Sequence, residues 1–459
     1  MNDSSSRQLI FIITIALGLL MLLSAIPWSN LTGNTLKDFN LLSDLFSNER
    51  PVLSTQPVLT SEIEEVLNEE IPEVTDSASA IVNEAVVPVP VQEVQVEAAP
   101  VINGIVAIEN YTGGELLSNF RNALSQASVR TVRVAVIGDS FIEGDIFSQD
   151  LRSMFRENYG GSGIGFSALH SDFPGFRRTV KMKTSGWELH DIRTMAAKDS
   201  LRLLSGDYSV SSGNASTTFT SGSAGSWSRT TLVYLATDSG TVSVATESAE
   251  KTITAIPSTD IQSISIDGST NSAKITASHG VIALGAYLDS TSGIQVDCMS
   301  IRGNSGLPMR KLNRNLSTQM RNLADYDLII LEYGTNAVSA GQTDYSGYAQ
   351  AMVRSVERIR SSYPAADILI MGIADRGEKV GTEVSSMAAC AAMVNSQREL
   401  ARKTGTAFWD TRAAMGGENS VVEWRNRKLV NADYTHLNKD GGRELARLLF
   451  NALNLAVNE

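Results

Sequence analysis

Short apolar runs alternate with amphipathic stretches beyond residue 130 of this 459-residue chain. The run VRVAVIG, which ends at Gly138, is apolar at almost every position, as expected of a strand buried on both faces. Comparable runs follow at 294–301, 327–333, 367–373 and 406–410. Between or after these runs, the apolar spacing predicts helices at about 148–159, 306–324, 345–362, 386–404 and 440–455. The alternation predicts an α/β domain whose parallel sheet is covered by helices on both faces.

A β-rich interval interrupts this alternation. From about Thr179 to Gly293 the chain is rich in Ser, Thr and Gly, and short segments such as GTVSVAT and SAKITAS have a period of two. The interval is predicted to be a β-sandwich inserted after the first strand, with both ends beside the carboxyl edge of the parallel sheet. Its residues Trp187 and Trp227 could either pack in a core or stack on sugars.

The amino-terminal segment has two parts with different compositions. Residues 9–26 are eighteen consecutive uncharged residues, and a helix of that length rises roughly 27 Å, close to the thickness of a bilayer's hydrocarbon core. We therefore expect a membrane anchor over residues 1–28, with a cleaved signal peptide as the alternative. Residues 29–103 are rich in Glu and have no sustained periodicity, which predicts a disordered, extended linker.

Charge and composition argue against several kinds of partner. The formal net charge is −12 and the isoelectric point is about 5.0, whereas nucleic-acid phosphates are bound by clustered Lys and Arg. No nucleic-acid partner is therefore expected. Cys298 and Cys390 lack the spacing of a zinc site and could be free thiols or one disulfide. Since the chain has only four histidines, a multi-histidine metal centre is not expected either.

Candidate catalytic residues stand at the ends of the predicted strands. Ser140 follows the first strand in Gly138-Asp139-Ser140, Gly303 follows the second, and Asn336 follows the third. Because the carboxyl ends of parallel strands meet at one edge of a sheet, these residues are expected to lie close together. A serine there can act as a nucleophile, while a glycine N–H and an asparagine amide can donate to an oxyanion. Each residue alone could also be a turn or helix-capping residue.

A candidate base precedes the last predicted helix. His436 lies three residues after Asp433 in the segment Asp433-Tyr434-Thr435-His436. A general base must be held in one tautomer by an acceptor, and a carboxylate on the same tight loop can provide that acceptor. Asp433 and His436 are therefore the expected partners of the nucleophile.

Taken in order, these motifs resemble the four blocks of the SGNH/GDSL hydrolase family, which carry Ser, Gly, Asn and His, with an Asp three residues before the His. The resemblance spans residues 131–455 apart from the inserted interval. It implies a flavodoxin-like, three-layer α/β/α fold and no metal or organic cofactor. It also implies a catalytic triad of Ser140, Asp433 and His436, and an oxyanion hole formed by Ser140, Gly303 and Asn336. The chain has no G-x-S-x-G elbow, which disfavours the α/β-hydrolase alternative.

A narrower resemblance is to the bacterial peptidoglycan O-acetylesterases. It rests on GDSFIEGDIFSQDLRSMF, the following GGSGIGF, the β-rich insert, and VIALGAYLDSTSGIQVDCMSIRGNSG. Phe141 stands where those enzymes typically have His, and Ile373-Ala374-Asp375 stands where they tend to have Pro-Pro-Asp. Ala337 follows Asn336 where the wider family often has Asp. The resemblance implies hydrolysis of O-acyl, above all O-acetyl, esters on a cell-envelope glycan such as peptidoglycan.

The predicted organisation is an anchor at 1–28, a linker at 29–103, a hydrolase domain at 104–178 and 294–459, and an insert at 179–293 that resembles a carbohydrate-binding module. This order implies a protein anchored in the inner membrane with its catalytic domain in the periplasm. Two other functions stay open. A glycan O-acetyltransferase would use the same acyl-enzyme, and a wall-glycan-binding protein would carry a vestigial triad.

Overall fold

A computed structural model describes residues 56–68, 97–195 and 200–458 of the chain. The expected membrane anchor at 1–28 lies outside these residues, as does most of the expected linker. Within the described ranges, no helix combines the length and the apolar character needed to cross a membrane.

A six-stranded sheet forms the centre of the α/β part. With strands numbered along the chain, its spatial order is β14 (Gly293–Ser300), β4 (Thr131–Gly138), β15 (Leu328–Glu332), β16 (Asp367–Met371), β19 (Ala407–Trp409) and β3 (Glu109–Asn110). The first five strands are parallel, and β3 is antiparallel at one edge. The five apolar runs are therefore the five parallel strands, as the sequence predicted.

Helices cover both faces of this sheet. They are α1 (Gln56–Asn68), α2 (Ser118–Leu124), α3 (Ser148–Tyr159), α4 (Arg314–Arg321), α5 (Ser346–Ser362), α6 (Ala389–Thr404), α7 (Thr411–Met415), α8 (Ser420–Asn426) and α9 (Lys439–Asn458). Successive β4 residues point to opposite faces. Ala135 and Ile137 share a core with α5 and α6, whereas Val134 and Val136 share one with α2, α3 and α9. This is the predicted three-layer α/β/α arrangement.

One predicted helix is interrupted. The interval 306–324 contains a 3₁₀ turn at Leu307–Lys311 and then α4, instead of one continuous helix. Pro308 lies in the first turn of the 3₁₀ segment, and Asn313 caps α4 by accepting a hydrogen bond from the Leu316 N–H. The polar cap restarts the helix after the break.

The β-rich interval forms one folded sheet. Its strands are β5 (Gly165–Ser167), β6 (Val180–Asp191), β7 (Asp207–Ser221), β8 (Trp227–Ala236), β9 (Gly240–Thr246), β10 (Glu250–Ala255), β11 (Ser258–Thr270), β12 (Ser272–Ala277) and β13 (Val281–Asp289). The predicted β-rich insert is present, and its nine strands are continuous because β7 pairs with β6, β12 and β13. The sheet closes over a shared core that contains Trp187 and Trp227, 8% and 1% exposed.

The insert does not rejoin the hydrolase domain at the edge of the sheet that the sequence suggested. Gly293, the first residue of β14, pairs with Thr131, the first residue of β4. The exit from the insert therefore lies at the amino-terminal edge of the parallel sheet, opposite Ser140, because β14 and β4 run in the same direction.

Two short hairpins, β1 (Val101–Ile102) with β2 (Ile105–Val106) and β17 (Gly377–Val380) with β18 (Glu383–Ser386), complete the described strands.

Part of the expected linker is an ordered helix. In α1 the Val66 side chain is fully buried in the core that also contains α5. The Glu62 carboxylate accepts a hydrogen bond from the Ser305 hydroxyl at 2.9 Å, and Glu65 lies 2.9 Å from Lys311 Nζ. The prediction of a structureless segment is wrong here, because Ile63, Val66 and Leu67 have the spacing of one apolar helix face.

Candidate active site

The site lies where three neighbouring strands end. In the sheet register Gly138 of β4 is opposite Ser300 of β14 on one side and Glu332 of β15 on the other. The loops that begin at these residues therefore leave the sheet side by side. Ser140, Gly303 and Asn336 are two, three and four residues into their loops, at the carboxyl edge where open α/β sheets bind ligands.

Ser140, His436 and Asp433 form a continuous hydrogen-bonded relay. Ser140 Oγ lies 3.0 Å from His436 Nε2, and His436 Nδ1 lies 2.7 Å from Asp433 Oδ2. Partial burial of Asp433 opposes its ionisation, but hydrogen bonds from the His436 ring and from the N–H groups of His436 and Thr435 outweigh burial and lower its pKa. An ionised Asp433 requires the proton on Nδ1, which leaves Nε2 to accept the Ser140 hydroxyl proton.

The loop that carries this pair is held by its own backbone. Asp433 Oδ1 accepts from the N–H groups of both Thr435 and His436, each at 3.0 Å, so one carboxylate shapes the turn and also contacts the imidazole. Tyr434 adopts a left-handed φ of 53°, and its carbonyl accepts from the Gly377 N–H at 2.9 Å. These bonds explain why a spacing of three residues suffices to orient the histidine.

Asn336 is tied to the residue beside the nucleophile. Its Nδ2 donates to Asp139 Oδ2 at 2.7 Å, while Asp139 Oδ1 accepts from the Phe141 N–H at 2.9 Å. One amide hydrogen of Asn336 is thus used for orientation, and its second hydrogen remains for a ligand. Gly303 is exposed and has a φ of 76°, a conformation in which the absence of Cβ matters. The structure brings all five predicted site residues to the same edge of the sheet.

A buried carboxyl pair behind the nucleophile was not predicted from the sequence. Asp139 and Glu332 are both fully buried, and neither Glu332 carboxyl oxygen has a hydrogen-bond partner of ordinary geometry among the described residues. Burial raises the pKa of Asp139 to about 6, against hydrogen bonds from Phe141 and Asn336 and the charge of His436. Burial, followed by the charge of Asp139, raises the pKa of Glu332 well above its usual value.

Gly138 provides the space for this pair. A Cβ at Gly138 would lie 2.4 Å from the Glu332 carbonyl oxygen and 2.9 Å from Glu332 Oε2. No real Cβ makes such contacts, so the close approach of β4 and β15 requires glycine at this position. A glutamate that ends the otherwise apolar run LIILE was the sequence signal that could have identified the pair.

No metal-binding cluster accompanies these residues. In the ranges 56–68, 97–195 and 200–458, no group of three or more His, Cys, Asp or Glu side chains is placed to hold a metal ion. Cys298 and Cys390 are both free thiols, and burial raises the pKa of each, which disfavours a reactive thiolate.

Comparisons with known proteins agree with this geometry. Residues 266–443 match the model of the GDSL-like Lipase/Acylhydrolase family. This span begins after Ser140 and includes the other predicted site residues, Gly303, Asn336, Asp433 and His436. A solved peptidoglycan O-acetylesterase is 24% identical with a TM-score of 0.63, over 76% of this chain and 99% of that chain. Among curated proteins, none matches the chain.

Two further solved structures are more distant. A family two carbohydrate esterase from Cellvibrio japonicus is 14% identical with a TM-score of 0.26, over 59% of this chain and 99% of that chain. The acetyl xylan esterase AlAXEase is 20% identical with a TM-score of 0.27, over 35% of this chain and 81% of that chain. The match to the peptidoglycan O-acetylesterase, by contrast, shows a shared fold.

Proposed function

We propose that this chain is a serine esterase of the GDSL/SGNH type that hydrolyses O-acetyl esters on a cell-envelope glycan such as peptidoglycan. The observation that carries the proposal is the relay from Ser140 Oγ through His436 to Asp433, with distances of 3.0 and 2.7 Å. These distances are within the range required of a nucleophile, its base and the group that orients the base. An aligned relay also disfavours a binding protein with a vestigial triad.

The proposed reaction has two half-reactions. Ser140 Oγ attacks the ester carbonyl while its proton moves to His436 Nε2, and Asp433 stabilises the imidazolium that forms. The oxyanion accepts hydrogen bonds from the N–H groups of Ser140 and Gly303 and from the Asn336 amide. His436 then protonates the sugar oxygen, and the C–O bond breaks to leave an acetyl-serine. Water, deprotonated by His436, attacks this ester and releases acetate and the free Ser140 hydroxyl.

Three features support an acetylated envelope glycan as the substrate. The shared fold with a peptidoglycan O-acetylesterase covers nearly all of that protein. The β-rich insert contributes Leu189 and Asp191 from β6 and Asp207 from β7 to a cleft beside the site, so it can contact a polymer. The third is the expected anchor at 1–28, because an inner-membrane attachment with a periplasmic catalytic domain would keep the enzyme near the wall. We propose this location together with the substrate.

Acetate release from O-acetylated peptidoglycan tests the proposal. The full-length protein is expected to release free acetate at a rate that an added sugar acceptor does not change, because water resolves the acyl-enzyme. The Ser140→Ala variant is the control and should release none. If acetate appears on the acceptor and not in solution, the protein is an acetyltransferase that uses the same acyl-enzyme. If neither product forms while a small acetyl ester is hydrolysed, the glycan substrate is wrong.

A further inference from the structure

Two exposed phenylalanines lie beside residues that flank the catalytic loops, since Phe176 is close to Gly144 and Arg302 lies over both rings. Phe173 and Phe176, in the loop between β5 and β6, are 48% and 52% exposed and are the only aromatic residues among the large exposed apolar side chains of the described ranges. Their ring centroids are 5.6 Å apart and their planes differ by 10°. Exposed aromatic surface is unfavourable in water, so an ordered pair of this kind marks a binding surface.

The ring pair is fixed to both catalytic loops. The Arg302 guanidinium carbon lies 5.0 Å from the Phe173 centroid and 5.7 Å from the Phe176 centroid, within the range of cation–π attraction. Arg302 immediately precedes Gly303 and is ion-paired with Glu143, whose N–H donates to the Ser140 carbonyl at 3.3 Å. We call Phe173, Phe176 and Arg302 the aromatic platform. It includes Arg302 of the oxyanion loop and contacts the nucleophile loop at Glu143 and Gly144.

A cavity of about 150 Å³ adjoins the platform. It is lined by Phe173 and Arg302, by His170, and by Arg193, Ser205 and Asp207 from the β6–β7 region of the insert. Burial, with the Asp191 charge, raises the pKa of Asp207 to about 7 despite a hydrogen bond with Ser205. Near neutral pH this carboxyl therefore exists in both forms, and it can either donate to a ligand hydroxyl or accept from one.

The charges around the cavity are already paired with one another. Arg193 Nη2 lies 2.7 Å from Asp191 Oδ2, Arg302 contacts Glu143, and Arg177 lies 3.5 Å from Asp145. The cavity lining has more carboxylates than arginines, which disfavours an anionic ligand. The carboxylates are Glu143, Asp145, Asp172, Asp191 and Asp207, and the arginines are Arg177, Arg193 and Arg302. An uncharged ligand with hydroxyl groups can hydrogen-bond to these pairs without separating them.

From these observations we propose that the aromatic platform and its cavity bind an uncharged sugar ring of the glycan, next to the ring that carries the scissile acetyl ester. A pyranose combines an apolar C–H face, which can lie on the phenylalanine rings, with a rim of hydroxyls that the cavity can hydrogen-bond. The electron-rich faces of the rings attract the polarised C–H groups. The inference rests on the proposed glycan esterase function. It adds a binding site that positions the glycan so that its acetyl ester reaches Ser140.

Direct binding tests the platform without any turnover. The full-length Ser140→Ala variant is titrated with a tetrasaccharide of β-1,4-linked N-acetylglucosamine, followed by ligand-observed NMR. Adding Phe173→Ala and Phe176→Ala should weaken binding at least about tenfold, whereas Ile256→Ala, a 67% exposed side chain in the insert, should leave it within about twofold. The proposal would be overturned if the Ser140→Ala protein did not bind the tetrasaccharide, or if adding both Phe substitutions left its affinity unchanged. Tighter binding of a polygalacturonic acid tetrasaccharide would overturn the preference for an uncharged ring.

Kinetics provide a second, separable test. In the active protein, the double Phe variant should lower the ratio of kcat/KM on O-acetylated glycan to kcat/KM on p-nitrophenyl acetate about tenfold, mainly through KM on the glycan. An equal loss on both substrates would mean that the loop only supports the active site. Because Phe176 Cβ packs near Gly144, Phe173→Ala alone is the second variant if the double variant does not melt cooperatively. Absence of acetate release by the wild type would refute the esterase proposal. The binding measurement alone would then test whether the aromatic platform binds a sugar.

Discussion

Replacing Glu332 by Gln tests whether the buried carboxyl behind the nucleophile carries a proton. Both Glu332 and Asp139 are fully buried, and burial together with the charge of Asp139 disfavours ionisation of Glu332. Because its pKa in the folded protein is well above the usual 4.5, Glu332 is expected to stay neutral near pH 7. Glutamine has nearly the same shape and is neutral at every pH, so Glu332→Gln should retain most esterase activity.

The size of the effect follows from proton linkage. Above about pH 5 the unfolded chain loses the Glu332 proton while the folded protein keeps it, so stability falls as the pH rises towards the folded-state pKa. One such group contributes a slope of up to about 1.4 kcal/mol per pH unit. Asp139 carries a separate cost, since the rise in its pKa from 3.8 to about 6, caused by burial, corresponds to roughly 3 kcal/mol. Glu332→Gln removes the pH dependence that Glu332 contributes and leaves the burial of Asp139 in place.

Thermal melts between pH 5 and 8 measure this difference. For a folded unit of some 400 residues, about 1 kcal/mol corresponds to roughly 1 °C in Tm. At the limiting slope of about 1.4 kcal/mol per pH unit, the Tm of Glu332→Gln relative to the wild type is expected to rise by up to about 4 °C between pH 5 and pH 8. Glu157→Gln, at an exposed position of α3, is the matched control and should follow the wild type. A Tm difference for Glu332→Gln that stays constant with pH would show that Glu332 holds no extra proton in the folded state.

Four further substitutions test the remaining parts of the site. Ser140→Ala or His436→Ala should lower kcat on p-nitrophenyl acetate by at least about 10³-fold, since nucleophile and base act as a unit; ordinary activity in Ser140→Ala would end the proposed mechanism. Asn336→Ala should lower kcat by about 10²–10³ with Tm nearly unchanged, the usual effect of losing one oxyanion donor, and an unchanged kcat would restrict Asn336 to a structural role. Gly138→Ala should destabilise the fold by about 1–3 kcal/mol or more, because its Cβ would lie 2.4 Å from the Glu332 carbonyl oxygen; a wild-type Tm would contradict the close strand approach.

The central sheet and the site could be predicted because their signals are local. Each parallel strand is a short apolar run followed by a polar loop, and the common direction of the strands places Ser140, Gly303 and Asn336 at one edge. The Asp433–His436 pair was predictable for the same reason, since three residues on one tight turn determine its geometry. Local sequence thus determines which groups can react and where they lie.

What the sequence did not predict depends on contacts between distant residues. The single sheet of the insert arises because β7 pairs with β6, β12 and β13, which no period-two pattern specifies. The order of α1 depends on burial of Val66 beside α5 and on a hydrogen bond to Ser305, more than two hundred residues away. The raised pKa of Glu332 depends on its burial and on the charge of Asp139, which follows the neighbouring strand β4. Composition alone favoured a structureless linker.

The position of the insert has a consequence for how the protein is made. Strand β4 ends at Gly138, but its two neighbours begin only at Gly293 and Leu328. At a synthesis rate of about 5–20 residues per second, roughly 8–30 s pass between the end of β4 and the start of β14 at the ribosome. Throughout that time a largely apolar strand has no partner on either edge, a condition that favours aggregation. We therefore expect the nascent chain to depend on a chaperone that shields β4 until the second half of the sheet emerges.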